Sequence, residues 1–197
     1  MQQLFPAEGE TVPRLRFPEF RDAGEWEVKQ LGEMCDSFSG GTPKTTRKDY
    51  YGGIIPFIRS AEIGEKSTEL FLTKKGLKSS AAKMVSKGDV AISKIDGAIN
   101  QAILCLRTTG PNRFIYHSLA YKKEQIISTY IQGGQGNLSG DIVLSLKIRC
   151  PQPSEQQKIA DCLSSLDELI ELQSQKIEAL KQHKKGLMQQ LFPQEVV

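Results

Sequence analysis

Two glutamates and a lysine near the start of the chain are the residue types of a metal-dependent nuclease site. Glu19 follows a proline, and Glu27 and Lys29 come shortly after it. Nucleases of this kind hold Mg²⁺ between two carboxylates and place a lysine near the attacking water. Here both acids fall on one short entry segment, whereas such a site needs carboxylates that converge from separate elements. The spacing therefore favours a polar face of a first strand.

Two glycine-rich segments have the composition of phosphate-binding loops but lack the other residues and elements that such loops need. Residues 37–43 lack the spaced glycines and following helix of a dinucleotide-binding turn, and residues 133–138 lack the Lys-Ser/Thr pair of a P-loop. The four cysteines form no Cys-x-x-Cys pair, and His117 and His183 lie far apart. We therefore expect no catalytic residue, no metal and no cofactor in this chain.

Positive charge is concentrated in the first 153 residues. They hold 21 Lys and Arg against 16 Asp and Glu, residues 154–192 hold five against six, and the whole chain carries +3. Within the basic part, residues 72–94 contain six lysines and one acid, Asp89. Such a local field attracts phosphates, although a solvated lysine face has the same composition. Charge alone thus leaves nucleic-acid binding and an ordinary surface equally open.

Polar loops supply the groups that reading DNA requires, which are cations for phosphates and hydroxyl, amide or guanidinium groups for base edges. Each such loop alone is more often an ordinary turn. Together they predict DNA contacts, with Arg59 suited to guanine and the amides of Gln135 and Asn137 suited to adenine. The full predicted set is Lys44, Thr45, Thr46, Arg47, Lys48, Tyr50, Arg59, Ser60, Lys94, Gln135 and Asn137.

Short β-rich runs broken by Gly and Pro must position these loops. Strands are predicted at Trp26–Leu31, Ile54–Ser60, Val90–Ile95, Ala102–Leu106 and Ile142–Ile148, and helices around 76–85 and 117–128. The expected fold class is α+β. It comprises one globular domain with a twisted mixed β-sheet and short helices, followed by a single long C-terminal coiled-coil helix.

The long helix is predicted from a capping box, Ser154 with Gln157, and from apolar residues at alternating spacings of four and three. It should span about 39 residues, or roughly 58 Å at 1.5 Å per residue. Its narrow apolar stripe predicts pairing with another helix, and self-association when the chain is alone. Lys184 and Gln173 would either fix the register of this seam or mark a frayed part of it. The predicted interface is Ile159, Leu163, Leu166, Ile170, Gln173, Ile177, Leu180, Leu187 and Leu191.

The hexapeptide Met1–Pro6 recurs letter for letter as Met188–Pro193. Because the second copy ends the predicted helix, the first copy is predicted to end an equivalent helix of a preceding unit. The expected division is a helix end and linker at residues 1–21, a DNA-reading domain at 22–153, the long helix at 154–192 and a tail at 193–197.

Several segments, in their order along the chain, resemble the specificity subunits of type I restriction-modification systems. The most specific is Pro-x-Pro-x-Glu-Gln-x-x-Ile-Ala, which leads into the long helix, and the resemblance covers about residues 12–192. The segments are Trp26–Glu33, Ser39–Pro43, Ile55–Arg59, Lys87–Lys94, Gln135–Ser139 and Pro151–Ala160. The resemblance implies a non-catalytic subunit whose target-recognition domain reads one half of a bipartite DNA site.

The same resemblance implies the partners. They are double-stranded DNA, modification (methyltransferase) subunits that bring S-adenosylmethionine, and restriction subunits that bring ATP and Mg²⁺. Family members hold two recognition domains and two helices, so this chain is either part of a longer subunit or a half-size subunit that dimerises through residues 154–192. No apolar run reaches the roughly 18 residues of a membrane span, and we expect a cytoplasmic protein.

Two other functions stay open. One is an assembly adaptor that binds protein through its domain and forms a coiled coil through its helix. The other is a nuclease that uses Glu19, Glu27 and Lys29.

Overall fold

The computed structural model describes residues 3–86, 88–89, 94–130 and 138–192. The strands in these ranges are β1 Glu27–Gln30, β2 Cys35–Ser39, β3 Tyr51–Ile58, β4 Phe71–Leu72, β5 Lys83–Val85, β6 Gly97–Ile99, β7 Leu104–Thr108 and β8 Lys147–Cys150. The α-helices are α1 Lys74–Lys78, α2 Asn112–Tyr121, α3 Lys123–Tyr130, α4 Gly140–Ser145 and α5 Pro153–Leu191. Two compact units result, Met1–Ala160 and Asp161–Val197.

The first unit holds all of these strands. β4, β3, β6 and β5 form a mixed sheet in that order, in which β3 and β6 run parallel and the outer pairs run antiparallel. β1 pairs with β8 and β2 pairs with β7, both antiparallel. With its short helices and the long helix α5, the chain has the predicted α+β fold with a mixed sheet.

Apolar residues on both faces of the mixed sheet form its core. Ile58, Val85 and Ile99 pack with Ile103 and Cys105. On the other face, Phe57 and Ala98 pack with Leu72 and Ala82. Because successive residues of a strand point to opposite faces, the neighbours Phe57 and Ile58 contribute to different clusters. The sheet is therefore covered on both sides where β3 meets β6.

Two predictions of secondary structure were partly wrong. The apolar alternation of residues 142–148 predicted one strand, but residues up to Ser145 belong to α4, whose first turn is capped by the Ser139 hydroxyl accepting from the Ile142 amide. Residues 76–85 were predicted as helix, yet α1 ends at Lys78 and Val85 lies in β5, where it is buried against the sheet. Local capping and tertiary pairing thus outweighed the sequence period.

Several other elements agree with the predictions, whereas β2, β4 and β6 were not predicted. β1, β3 and β7 lie within a few residues of predicted strands, and α2 and α3 occupy the second predicted helical region. The strand predicted at Val90–Ile95 lies largely outside the described residues. The long helix agrees closely, although it begins at Pro153 rather than after a Ser154 cap, because the Gln152 carbonyl already accepts from the Glu155 and Gln156 amides.

The N-terminal copy of the hexapeptide is not helical in the described residues 3–6, where a turn leads into a bend. Leu4 and Phe5 are instead buried in the first unit. Phe5 stacks on Tyr121 at 5.2 Å between ring centroids and meets the edge of Trp26 at 6.2 Å. Residues 3–16 therefore belong to the packed domain in this chain.

Candidate nucleic-acid interface

The predicted contact loop of residues 44–50 is exposed and anchored at both ends. Lys44, Thr45, Thr46, Arg47 and Lys48 are exposed, and Tyr50 is half-buried. Before the loop, the Pro43 carbonyl accepts a 2.7 Å hydrogen bond from the Tyr51 hydroxyl. After a turn closed from the Arg47 amide to the Lys44 carbonyl at 3.1 Å, residues 48–50 form a single 3-10 turn that leads into β3. The loop thus presents its cations on a fixed backbone.

Two glycines before the loop explain the Ser39–Pro43 motif in physical terms. A Cβ on Gly41 would come within 2.6 Å of the Ala81 Cβ, and a Cβ on Gly40 would overlap the Ile99 carbonyl. The Gly41 amide also donates to that carbonyl at 3.3 Å. These glycines therefore let the backbone cross the end of β6 closely, and no phosphate is needed to account for them.

Helix α1 docks against the loop and brings the second basic segment to it. The Thr73 hydroxyl donates to the Asp49 carbonyl and the Thr73 amide donates to the Tyr50 carbonyl, both at 2.9 Å. The approach is close enough that a Cβ on Gly76 would lie 2.3 Å from the Tyr50 carbonyl oxygen. The lysines of residues 74–78 and the cations of residues 44–48, separate in sequence, consequently share one region.

Asp49 is the electrostatic centre of this region. Its carboxylate accepts from Nε and Nη2 of Arg47, both at 2.9 Å, and from Nζ of Lys75 at 2.6 Å. Hydrogen bonds from these two cations hold the pKa of Asp49 well below its usual range, and the same carboxylate raises the pKa of Arg47. The Arg47 guanidinium also lies over the Tyr50 ring, 4.9 Å from its centroid. Arg47 is thereby fixed in orientation while its outer edge stays exposed.

We call the resulting patch the basic surface. It carries one acid among six cations, so its net charge is strongly positive. Its members are Lys44, Arg47, Lys48, Lys74, Lys75, Lys78 and Asp49.

Arg59 and Ser60 follow the other end of β3, a strand of eight residues that is roughly 26 Å long at 3.3 Å per residue. Arg59 donates from Nη2 to Glu62 at 2.8 Å and to Glu69 at 2.6 Å, and from Nε to Glu62 at 3.1 Å. The pair with Arg59 lowers the pKa of Glu62 to about 2. Arg59 thus serves the packing of residues 59–69, and its predicted contact with guanine would have to use its remaining donors.

The other predicted contacts are placed only in part. Ser60 is exposed at the start of a 3-10 turn, and Lys94 is exposed three residues before β6. Gln135 and Asn137 lie outside the described residues. Their roles remain predictions.

One cluster was missed from the sequence. Arg107 pairs with Asp89 at 3.1 Å and 2.5 Å, and its guanidinium lies 5.2 Å from the centroid of the Phe38 ring. Nζ of Lys83 lies 5.7 Å from the same centroid. An aromatic ring close to two cations is a feature of surfaces that contact phosphates and bases. Phe38 and Arg107 are brought together by the pairing of β2 with β7, which no local sequence pattern predicts.

The two carboxylates of the nuclease alternative are each paired with a different lysine. Glu19 pairs with Lys158 at 3.3 Å, and Lys29 pairs with Glu27 at 3.0 Å. Within the described ranges, no three His, Cys, Asp or Glu side chains are grouped to hold a metal ion. The cysteines are free thiols, and burial raises the pKa of Cys105 to about 11 and that of Cys150 to about 12.

The predicted helix seam divides between buried and exposed residues. Ile159 and Leu163 are buried, whereas Leu166, Ile170 and the apolar seam residues beyond them are exposed along α5. Leu169 and Leu172, which lie outside the predicted seam, are exposed as well. The apolar surface of the second unit is thus broader than the predicted stripe. None of the described helices is long and apolar enough to span a bilayer.

Comparison with known proteins assigns the family. Residues 23–182 match the type I restriction modification DNA specificity domain. This match covers most of the chain, and the protein belongs to that family.

Two relatives are type I restriction enzyme specificity subunits. The MjaIX specificity subunit of Methanocaldococcus jannaschii is 29% identical over 181 residues, which cover 80% of this chain and 41% of that protein. The EcoR124I/EcoR124II specificity subunit of Escherichia coli is 25% identical over 169 residues, which cover 74% and 42%. The chain therefore spans about two fifths of the length of these relatives.

Solved structures share the fold. The HsdS subunit of Thermoanaerobacter tengcongensis matches with a TM-score of 0.57 and 20% identity over 91% of this chain and 42% of that one. A chain from a study of complex assembly and conformational transition of the type I R-M system matches with a TM-score of 0.65 and 18% identity. This match covers 94% of the present chain and 47% of the other one. At these identities the likeness is one of fold.

Proposed function

We propose that this chain is the DNA-reading part of a type I specificity subunit and that its basic surface contacts one half of a bipartite target. The observation that carries the proposal is the docking of α1 on residues 44–50, which joins two basic segments around Asp49. Family membership gives this surface its context. Phosphates are the ligands that such a concentration of exposed cations suits best.

Different residues would have different tasks on the duplex. Lys44, Lys48 and Lys74 are flexible point charges and suit phosphates, which fix register but carry no sequence information. Arg47 is held by Asp49 and Tyr50, so its free edge has a defined direction and suits a base edge. In this proposal the lysines supply affinity and Arg47 contributes to the choice of sequence.

The exposed side of α5 supports a role in spacing and assembly. A helix of 39 residues is about 58 Å long, which corresponds to roughly 17 base pairs at 3.4 Å each. Pairing with a second helix would cover its exposed apolar residues and hold two recognition domains at a set separation. Modification and restriction subunits are the further partners in this proposal. They bring S-adenosylmethionine, ATP and Mg²⁺, while this chain contributes no catalytic group.

The test uses the chain assembled with its modification subunits. A map of methylated positions first identifies the target, and binding to that duplex is then compared with a scrambled one across salt concentrations. We expect tighter binding to the target. Lys48→Ala should weaken binding to both duplexes. It should also reduce by about 1 the magnitude of the slope of the logarithm of the binding constant against the logarithm of the salt concentration. Equal affinity for both duplexes contradicts the proposal.

The adaptor alternative draws on the same exposed residues of α5, and one pair of measurements separates it from DNA reading. A Lys44→Ala/Arg47→Ala variant should lose DNA affinity and still assemble with the modification subunits. If assembly fails while DNA affinity survives, the domain binds protein.

A further inference from the structure

The two copies of the hexapeptide have opposite surroundings. In the N-terminal copy, Leu4 is 9% and Phe5 is 4% exposed. In the C-terminal copy, Leu191 is 71% and Phe192 is 72% exposed. The same apolar pair is thus packed at one end of the chain and unprotected at the other.

The site that holds the N-terminal copy is aromatic. The Phe5 ring lies 5.2 Å from Tyr121, 6.0 Å from Phe114 and 6.2 Å from Trp26 between centroids. The ring centroids of Trp26 and Phe114 lie 6.1 Å apart, so these two residues also pack on each other and Phe5 adds a further ring to their cluster. We call Trp26, Phe114 and Tyr121 the aromatic site.

Main-chain groups add to the recognition of this copy. The Gln3 carbonyl accepts from the Leu15 amide at 2.8 Å, and the Pro6 carbonyl faces the Tyr121 hydroxyl at 3.5 Å. The domain therefore binds two apolar side chains and two carbonyls of the hexapeptide. The C-terminal copy has the same side chains and the same backbone in the same order.

We propose that the aromatic site is a binding site for this hexapeptide from either end of the chain, and that the C-terminal copy of a second chain docks in it in place of Leu4 and Phe5. Chemical identity is the reason: once its last turn is unwound, the C-terminal copy offers the site the same side chains and the same carbonyls as the N-terminal copy. Burial of an exposed Leu-Phe pair is favourable. Exchange of an identical element between copies is the principle of domain swapping.

The end of α5 permits this docking. The helix ends at Leu191, within the hexapeptide, whereas residues 3–5 form a turn and a bend at the aromatic site. The C-terminal copy must therefore unwind its last turn to fit, and terminal turns fray easily. The N-terminal copy keeps the advantage of being tethered next to its site, so exchange becomes measurable when that copy is weakened.

The first test uses the fluorescence of Trp26, the only tryptophan of the chain. A synthetic peptide with the sequence of residues 186–197 is titrated into the full chain carrying Leu4→Ala and Phe5→Ala. We expect a saturable change in fluorescence. The peptide should bind the unaltered chain at least tenfold more weakly. The same peptide carrying L191A and F192A should cause no change. No response, or an equal response to both peptides, overturns the proposal.

Because two alanines in the core can impair folding, Phe5→Leu in the full chain is titrated in parallel. This variant keeps most of the apolar volume, and it should bind the peptide more weakly than the double variant and more tightly than the unaltered chain. A folded Phe5→Leu chain that does not respond contradicts the proposal as well. These measurements need no DNA, so their outcome is independent of the proposed function.

Exchange between whole chains is tested by sedimentation. The Leu4→Ala/Phe5→Ala chain should associate at lower concentration than a chain that also carries F192A, a change that leaves the predicted helix seam intact. Equal association of the two would show that the C-terminal copy does not dock on a second chain.

Discussion

Arg16 and Glu155 form a buried bidentate ion pair between the N-terminal segment and the first turn of α5. Nε and Nη2 of Arg16 donate to the two carboxylate oxygens at 2.8 Å and 2.7 Å, and the side chains are 8% and 1% exposed. The glutamate is the one in the Pro-x-Pro-x-Glu-Gln motif, and the next residue, Gln156, donates to the Pro151 carbonyl at 2.8 Å. This motif therefore ties the start of the helix to the domain.

Removing one partner of this pair should be costly. In Arg16→Met, Glu155 keeps a buried charge without its partner, and we expect a loss of about 3–5 kcal/mol in the free energy of unfolding, measured by urea denaturation. The control is Lys158→Ala, which breaks the exposed pair with Glu19 and should cost at most about 1 kcal/mol. Equal losses in the two variants would contradict a structural role for the buried pair.

Glu62 should make stability depend on pH. Its pKa is lowered from 4.5 to about 2 in the folded chain, mainly by Arg59, so the folded state favours the charged carboxylate. The stabilisation is therefore complete above about pH 4.5 and is lost as the pH falls towards 2. Glu62→Gln should be less stable than the unaltered chain at pH 6, and the difference should shrink by pH 3 in urea denaturation. A constant difference over this range argues against the Arg59 pair as its cause.

Gly76→Ala should be destabilising although alanine is the better helix former. The added Cβ would meet the Tyr50 carbonyl at 2.3 Å and push α1 away from residues 48–50. We expect a lower melting temperature and weaker DNA binding by the assembled complex. The matched control is Gly186→Ala in α5, where the Cβ meets nothing within 4 Å and should stabilise the helix by up to about 1 kcal/mol. A neutral Gly76→Ala would show that α1 does not fix the loop.

Leu180→Asp should weaken self-association of the chain. The side chain is exposed on the predicted seam, and a charge there opposes burial between two helices. We expect sedimentation to show at least about a tenfold increase in the dissociation constant, which corresponds to a loss of about 1.4 kcal/mol in the free energy of association. The control is Gln182→Asp, two positions along and therefore on the opposite side of the helix. An equal effect of both changes would argue against the seam.

Local sequence signals predicted those parts of the structure that depend on neighbouring residues. Helix α5 has a long uninterrupted apolar period and was located within one residue, and the exposed loop of residues 44–48 follows from its polar composition and flanking glycines. The position of α1 against Tyr50, by contrast, depends on the Thr73 contacts and on Gly76. The Arg107–Phe38 contact depends on pairing between β2 and β7, about seventy residues apart in the sequence. Such long-range contacts leave no local pattern.

The contact of Arg16 with Glu155, together with the pairing of Glu27 opposite Cys150, brings the start and the end of the recognition domain side by side. A module whose entry and exit points are neighbours can be replaced by another of the same plan without displacing the segments that flank it. If the proposed function is right, exchange of the whole cassette, from the packed N-terminal residues to about residue 155, should alter the sequence preference and leave the helix that follows intact.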